Sequence, residues 1–125
     1  MPTPRTRLGT RGEKIAGLHL QAQGYEILAT NFRCQWGEVD IVARDGACLV
    51  FVEVRTRRNT TSYGTPEESL SKKKRDRLVA TAETYIQDCC DSPPEGWRID
   101  LVTVRLDRLT NTSRLNQIEN AVELE

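Results

Sequence analysis

The chain has 125 residues, 38% of them hydrophobic and 29% charged, which is enough for one domain with a modest core. Its 18 basic and 18 acidic residues cancel, so net charge argues neither for nor against a nucleic-acid partner. Four cysteines without a CxxC pair and a single histidine argue against a zinc site of the usual spacing. Nothing resembles a signal peptide or a membrane span, so we expect no membrane partner and a location in the reducing cytoplasm.

The first third of the chain predicts a helix followed by strands. Residues 1–8 are expected to be a flexible N-terminus, and Thr10 is expected to cap a helix that runs to about Gln23. Glu13 then stands at the capping-box position. Segments rich in branched and aromatic residues predict three strands, with Asp45-Gly46 as the turn between the last two. These strands are residues 25–33, 37–44 and 47–57.

The remaining chain predicts a second helix and two more strands. Residues 58–65 form a polar loop that is a candidate for closing on a substrate, and Pro66 suits the first turn of a helix that runs to Cys89. The last strands are residues 97–106 and 114–122. The predicted fold class is α/β, a mixed central sheet of about five strands flanked by helices, in the order α-β-β-β-α-β-β. Residues 9–122 form a single domain and residues 123–125 a tail.

The second and third strands carry acids among apolar residues, and their pairing decides where these acids lie. A turn centred on Asp45-Gly46 pairs residues whose numbers sum to 91, so that Glu38 faces Glu53 and Asp40 faces Phe51. Because directly paired side chains point the same way, Glu38, Asp40, Glu53 and Arg55 then share one face of the hairpin. The Cα atoms of Asp40 and Glu53 are expected about 7–8 Å apart, as diagonal neighbours.

Two interpretations of this acidic cluster remain open. Direct opposition of Glu38 and Glu53 is destabilising, and a bound cation would relieve it. Carboxylate oxygens without histidine or cysteine favour Mg²⁺ or Mn²⁺ over zinc. The alternative is a solvated sheet face with alternating polar residues. Leu49 and Phe51 on the same face as the acids weaken that alternative.

Basic residues are concentrated in the middle of the chain, with eight basic and three acidic residues from Arg55 to Arg77. Lys74 falls on the apolar stripe of the second helix, so it must reach water or find a carboxylate. The segment SKKKRDR is otherwise a solvated helix face. Aromatic residues make up only 6% of the chain and do not alternate with basic ones, so the sequence does not indicate a stacking platform for single strands.

Four segments share their order and spacing with one known family. They are GEKIAGLHLQAQGYEILATNFRCQWGEVDIVARDG, LVFVEVRTRRNTTSYGTPEESLSKKKRDRLVATAETYI, WRIDLVTV and IENAV. Over about residues 8–122 the chain therefore resembles the uncharacterised bacterial YraN family. That family looks like the restriction-endonuclease superfamily, with its PD-(D/E)xK-type motif, so the resemblance implies a restriction-endonuclease-like fold and a nuclease-like domain.

The resemblance also implies roles for individual residues. Glu13, Asp40 and Glu53 would be metal ligands for Mg²⁺ or Mn²⁺, and Asp40 and Glu53 would be catalytic. Arg55 stands where the superfamily usually has its catalytic lysine, and Lys74 matches a lysine that recurs in the family's second helix. An arginine can stabilise charge but does not release a proton. Arg55 can therefore replace the catalytic lysine if the reaction needs only a cation at this position. If the reaction needs a proton donor or acceptor there, Lys74 must reach the same space.

The function implied by the resemblance is that of a Mg²⁺-dependent endonuclease-like protein that binds nucleic acid and hydrolyses phosphodiester bonds, at branched or structured DNA. DNA is favoured over RNA, and a homodimer is left open, since resolvase-like enzymes usually work as dimers. Five residues are expected to contact the nucleic-acid backbone: Arg57, Arg58, Lys72, Lys73 and Arg75. The alternatives are a non-catalytic nucleic-acid-binding module that retains the fold, and a protein-interaction domain.

Overall fold

The structure is a computed structural model that describes residues 4–58, 70–107 and 109–124, with side chains from residue 8 onward. These residues form an α/β fold in the predicted order, two helices and five strands. The elements are α1 (Pro4–Ala22), β1 (Glu26–Cys34), β2 (Gly37–Asp45), β3 (Cys48–Arg58), α2 (Lys72–Cys89), β4 (Gly96–Asp107) and β5 (Thr112–Ile118). The polar loop expected at 58–65 lies outside the described residues from position 59 onward.

The five strands form one mixed sheet in the order β1-β2-β3-β4-β5. Neighbouring strands are antiparallel except β3 and β4, which run parallel and are joined through α2. A parallel pair needs a long crossover connection, and α2 provides it. The predicted mixed sheet flanked by helices is therefore confirmed.

The two helices cover opposite faces of the sheet. Ala16 and Leu20 of α1 are fully buried in one apolar cluster, and Leu78 and Ala82 of α2 belong to a second. Since β3 is buried on both faces, its sequence is almost continuously apolar from Leu49 to Val54. Neither helix, as far as the chain is described, has the length and hydrophobicity needed to cross a bilayer.

Both helices begin at positions that differ from the predicted ones. Helix α1 begins at Pro4 rather than Thr10, so Glu13 lies in the third turn and is not a capping-box residue. Helix α2 begins at Lys72 rather than Pro66, because Ser71 is its N-cap. The Ser71 hydroxyl accepts a hydrogen bond from the backbone N–H of Lys74 at 3.1 Å, which satisfies a donor that the first turn leaves unpaired.

The β2–β3 hairpin has a different register from the predicted one. Asp45 pairs with Cys48, and the pairing continues to Ile41 and Val52, so paired numbers sum to 93 rather than 91. Gly46 is the first of the two loop residues and has a φ of +61°. Glycine at that position is the arrangement of a type II′ turn, which the prediction centred one residue too early.

The register change has a simple consequence for the acids. The predicted pairings of Glu38 with Glu53 and of Asp40 with Phe51 are wrong. The shift is an even number of residues, however, and on a strand side chains two positions apart share a face. Glu53 therefore stays on the face that carries Leu49 and Phe51, which pack in the cluster under α2.

Helix α1 makes its closest approach to the sheet at Gly12. A Cβ atom at this position would lie 2.8 Å from Cβ and 2.9 Å from Cγ2 of Thr56 on β3. Only a residue without a side chain allows this approach, which brings the next residue, Glu13, down to the sheet.

We therefore expect Gly12→Ala to lower the free energy of unfolding by about 1–3 kcal/mol, the usual effect of overpacking. Gly9→Ala is the matched control, since nothing lies within 4 Å of its Cβ position on the same helix. The control should gain up to about 1 kcal/mol from helix propensity. Urea unfolding of the three proteins measures both changes, and equal stabilities would contradict the close packing of α1 on β3.

Candidate functional site

Asp40 takes the place of a backbone group in the sheet. Regular pairing of β2 with β3 ends at Ile41 and Val52. Beyond this point Oδ2 of Asp40 accepts a hydrogen bond from the backbone N–H of Val54, with a distance of 2.7 Å. A carboxylate oxygen therefore replaces a strand carbonyl as the acceptor of this backbone hydrogen bond. This bond fixes the Asp40 side chain against β3.

The regular alternation of side chains breaks at Asp40. Val39 and Val42 both pack in the cluster under α2, whereas Ile41 packs in the cluster under α1. Simple alternation would place Val39 with Ile41. On the neighbouring strand Asn31 has a left-handed φ of +52°, and the β1–β2 pairing skips Asn31 and Asp40 together. Because of this irregularity the Asp40 carboxyl is near two acids on opposite faces of the sheet. Glu13 comes from the face covered by α1, and Glu53 from the face covered by α2.

Asp40 lies between Glu13 and Glu53, and side-chain hydrogen bonds join it to both. Burial, and next the charge of Glu53, raise the pKa of Asp40 to about 8, although the Val54 N–H opposes the shift. At neutral pH Asp40 therefore carries a proton, which it donates to a neighbouring carboxylate. Burial also raises the pKa of Glu13, with the charge of Glu38 as the next cause. The three metal-ligand candidates thus form one connected group of acids.

Glu53 is the most deeply buried of these acids, with 5% of its surface exposed, and two cations contact it. Nζ of Lys74 lies 3.1 Å from Oε2 of Glu53, and Nη2 of Arg55 lies 3.7 Å from the same oxygen. The expectation that Lys74 finds a carboxylate is confirmed. Nε of Arg55 is buried and has no hydrogen-bond partner in the described part of the chain, so it is a donor that an entering acceptor can use.

Glu38 is held in an ion pair of its own, although its charge also acts on Glu13. It contacts Nε of Arg33 on β1 at 3.1 Å, in line with their cross-strand pairing. The prediction that Glu38 opposes Glu53, and so calls for a cation, is therefore wrong. The like-charge repulsion at the site comes from Asp40 and Glu53 instead.

The five basic residues expected to contact a nucleic-acid backbone are exposed and flank the site on two elements. Arg57 and Arg58 end β3, about 13–17 Å along the strand from Glu53. The other three lie in the first turn of α2, next to Lys74. These are Lys72, Lys73 and Arg75. Lys72 also pairs with Asp76 at 3.0 Å.

The acids do not form a complete metal cage by themselves. Within residues 4–58, 70–107 and 109–124, no three aspartate, glutamate, histidine or cysteine side chains are grouped closely enough to hold an ion. Mg²⁺ does not require such a cage, because it commonly binds one or two carboxylates together with water and substrate phosphates. Asp40 and Glu53 supply two hard oxygen donors whose repulsion a cation would relieve. The donor set therefore fits Mg²⁺ or Mn²⁺ and does not suit zinc.

One residue of the site escaped the sequence analysis. Asn31 lines one cavity with Glu13 and Asp40, lowers the pKa of Glu13 and stands in the irregular part of the sheet. Its signal was an asparagine inside a predicted strand, since asparagine tolerates left-handed φ better than most residues. Asp100, by contrast, has a structural role, because it is fully buried and accepts a hydrogen bond from Nε of Arg98 at 2.9 Å.

The raised pKa of Asp40 predicts how stability depends on pH. The folded state holds a proton on Asp40 between its ordinary pKa of 3.8 and about 8, whereas the unfolded state does not. Stability must therefore fall as pH rises through this window. Asp40→Asn mimics the protonated acid and should not show this loss. We expect the free energy of unfolding of Asp40→Asn, relative to wild type, to rise by up to about 1.4 kcal/mol per pH unit between pH 5 and 8.

Urea unfolding at pH 5, 6, 7 and 8 tests this expectation. Asp76→Asn is the control, since it removes an acid from an exposed ion pair and should follow wild type at every pH. A constant difference between Asp40→Asn and wild type across the series would show that Asp40 is ionised in the folded protein.

Comparison with known sequences places the chain in a family. Residues 12–104 match the family described as "Uncharacterised protein family UPF0102". A UPF0102 protein of Roseiflexus castenholzii is 44% identical over 121 residues, which cover 95% of each chain. Those of Herpetosiphon aurantiacus and Dehalococcoides mccartyi are 43% and 44% identical, covering 86% and 94% of this chain and 89% and 94% of their own lengths. The chain therefore belongs to the UPF0102 family, and the resemblance to YraN proteins is confirmed.

Proposed function

We propose that the protein is a metal-dependent phosphodiester hydrolase that acts on nucleic acid. The observation that carries this proposal is the group of Asp40, Glu53 and Lys74 at the break in the sheet. A half-buried and a buried carboxylate, Asp40 and Glu53, lie side by side there, and a lysine from α2 contacts the same glutamate. The resemblance to the PD-(D/E)xK superfamily supports the proposal independently, since it selects the same acids from the sequence pattern.

Asp40 and Glu53 are the ligands that would hold Mg²⁺ or Mn²⁺, and Glu13 would orient Asp40 or a metal-bound water. A divalent ion at this position supplies charge to polarise a phosphate and to lower the pKa of the attacking water. The protein holds the Asp40 carboxyl in place through the Val54 N–H. The site therefore needs little rearrangement of the strands when the proton on Asp40 is lost.

Lys74 and Arg55 together take the two roles of the single lysine in the superfamily motif, which are to position the attacking water and to stabilise charge on the phosphate. The Lys74 amine lies at hydrogen-bonding distance from Glu53 and is able to release a proton, so it can position the attacking water and exchange protons with it. Nη2 of Arg55 lies 3.7 Å from Oε2 of Glu53, so the guanidinium is near enough to attract a phosphate bound at that carboxylate. Arg55 therefore stabilises the charge that develops on the phosphate.

Substrate affinity comes from the basic residues around the site. Exposed arginines at the end of β3 and lysines at the start of α2 contact phosphates, and such contacts weaken steeply with salt and carry little sequence information. Branched or structured DNA is the substrate proposed from the family resemblance. A homodimer would place two such sites on one branched substrate.

A non-catalytic nucleic-acid-binding module is the second candidate, and one observation favours it. Lys74 and Arg55 already neutralise Glu53, and the proton on Asp40 removes the second charge. The acids are therefore satisfied without any metal ion. This candidate predicts binding that EDTA does not change and no cleavage with any metal.

Cleavage assays separate the two candidates. We expect wild type to cleave at least one of linear duplex DNA, single-stranded DNA, a four-way junction and structured RNA, with Mg²⁺ or Mn²⁺ and not with EDTA. Glu53→Gln should lower the rate by about 100-fold or more, since glutamine has the size of glutamate but lacks the carboxylate that would bind the metal ion. Asp88→Asn removes an exposed acid near the end of α2 and, purified identically, should cleave at the wild-type rate. Equal cleavage by Glu53→Gln and wild type would mean that a contaminant, and not this site, is responsible.

The division between Lys74 and Arg55 makes a separate prediction. Lys74→Arg keeps the charge near Glu53 but cannot release a proton, so its cleavage rate should fall by about 100-fold or more if Lys74 takes part in proton transfer. Arg55→Lys keeps a cation on β3 and should retain most of the activity. Full activity in Lys74→Arg would show that Lys74 acts only through its charge. Circular dichroism and binding to uncleaved substrate confirm that each variant is folded.

A further inference from the structure

Trp36 presents an aromatic ring beside the proposed site. It lies in the turn between β1 and β2, and 52% of its surface is exposed. Together with α2 it lines an open groove of about 630 Å³, formed by Trp36, Lys72, Lys73, Asp76, Arg77 and Ala80. A half-exposed tryptophan at the edge of a groove offers an aromatic face to a ligand.

The turn that carries Trp36 is held against α2 on both sides of the tryptophan. Before it, Sγ of Cys34 lies 3.8 Å from Oγ1 of Thr81. After it, Gly37 is so close to α2 that a Cβ atom would lie 3.5 Å from Oγ1 of Thr81 and 3.7 Å from Cβ of Arg77. The ring therefore occupies a defined place next to the helix.

The groove combines an aromatic face with positive charge. It contains three cationic side chains and one acid, and that acid, Asp76, already pairs with Lys72 at 3.0 Å. Lys73 and Arg77 remain to attract an anion. Aromatic rings bordered by lysine and arginine bind single-stranded nucleic acid, because a base stacks on the ring while its phosphates contact the cations.

The groove and the proposed site share the first turn of α2. Lys73 lines the groove, and the next residue, Lys74, contacts Glu53. Their Cα atoms are about 3.8 Å apart, less than the length of one nucleotide. A nucleic acid bound in the groove therefore lies close to the proposed site.

We infer that Trp36 stacks on an unpaired nucleobase whose phosphates lie along Lys73 and Arg77. A base inside a duplex is stacked on both faces and offers none to Trp36. The preferred ligand is therefore nucleic acid with a single-stranded segment, such as a flap, a branch or a frayed end. Binding of the unpaired base does not depend on the proposed function. Only the position of the single-stranded segment next to the bond that is cleaved rests on the proposed function.

A binding experiment in EDTA tests the inference without cleavage. The probes are a fluorescently labelled thymidine oligomer of about 12 nucleotides, within the usual range of site sizes, and an abasic oligomer of the same length and charge. We expect wild type to bind the thymidine oligomer about ten-fold more tightly than the abasic one. Trp36→Ala should lose this preference and keep its affinity for the abasic oligomer, while Trp36→Phe should retain most of the preference.

Leu109→Ala is the matched control, since Leu109 is an apolar side chain that is 97% exposed after β4 and lies outside the groove. It should bind both oligomers as wild type does. Equal binding of the two oligomers by wild type would overturn the inference and leave the groove as a surface for a protein partner. Equal loss of affinity for both oligomers in Trp36→Ala would overturn it as well.

The result is independent of the cleavage assays. The binding assay contains EDTA, so it reports on stacking in the groove whether or not the acids bind a metal ion. A base preference without any metal-dependent cleavage would support the groove and contradict the proposed function. Cleavage with no effect of Trp36→Ala on base preference would support the proposed function and contradict the stacking inference.

Discussion

Two neighbouring acids in the middle of an apolar sheet, Glu53 buried and Asp40 half-buried, are the constraint on which the rest of this structure depends. A buried charge is costly unless it is paired, and Asp40 and Glu53 repel each other as well. The protein resolves this by holding a proton on Asp40, by donating the Val54 N–H to it, and by placing Lys74 and Arg55 on Glu53. Each solution requires a particular arrangement of strands and helices around the pair.

The positions of the two helices bring Glu13 and Lys74 to these acids. Helix α1 comes close to β3 because Gly12 has no side chain, and this approach carries Glu13 to Asp40. Helix α2 begins at Ser71, so Lys74 lies in its first turn and reaches Glu53. The groups that neutralise the acids at rest are also those that would bind a metal, a water molecule and a phosphate. The same side chains therefore stabilise the fold and would take part in the proposed chemistry. A rise in pH removes the proton from Asp40, which lowers stability and leaves the carboxylate that a metal ion would bind.

The surface beside the acids follows from the same packing. The β1–β2 turn rests on α2 near Thr81, so Trp36 stands beside the lysines that begin the helix. The sequence did not indicate a stacking platform, because Trp36 is far along the chain from Lys73. Folding brings the ring and the charges together. A binding surface for an unpaired strand is thus compatible with a chain of zero net charge, since the positive charge is concentrated locally.

The sequence by itself determined the order of the elements and the mixed sheet, and it predicted that Asp40, Glu53 and Lys74 belong to one site. Hydrophobic periodicity and the family resemblance carry that information locally. The helix starts and the hairpin register were wrong, because neighbouring residues compete for caps and turn positions with small differences in energy. Only the tertiary structure decided the break at Asn31 and Asp40, which depends on the pairing of separate strands. Only it placed Lys74 on Glu53 and Trp36 beside α2, because those contacts join residues that are distant in the chain.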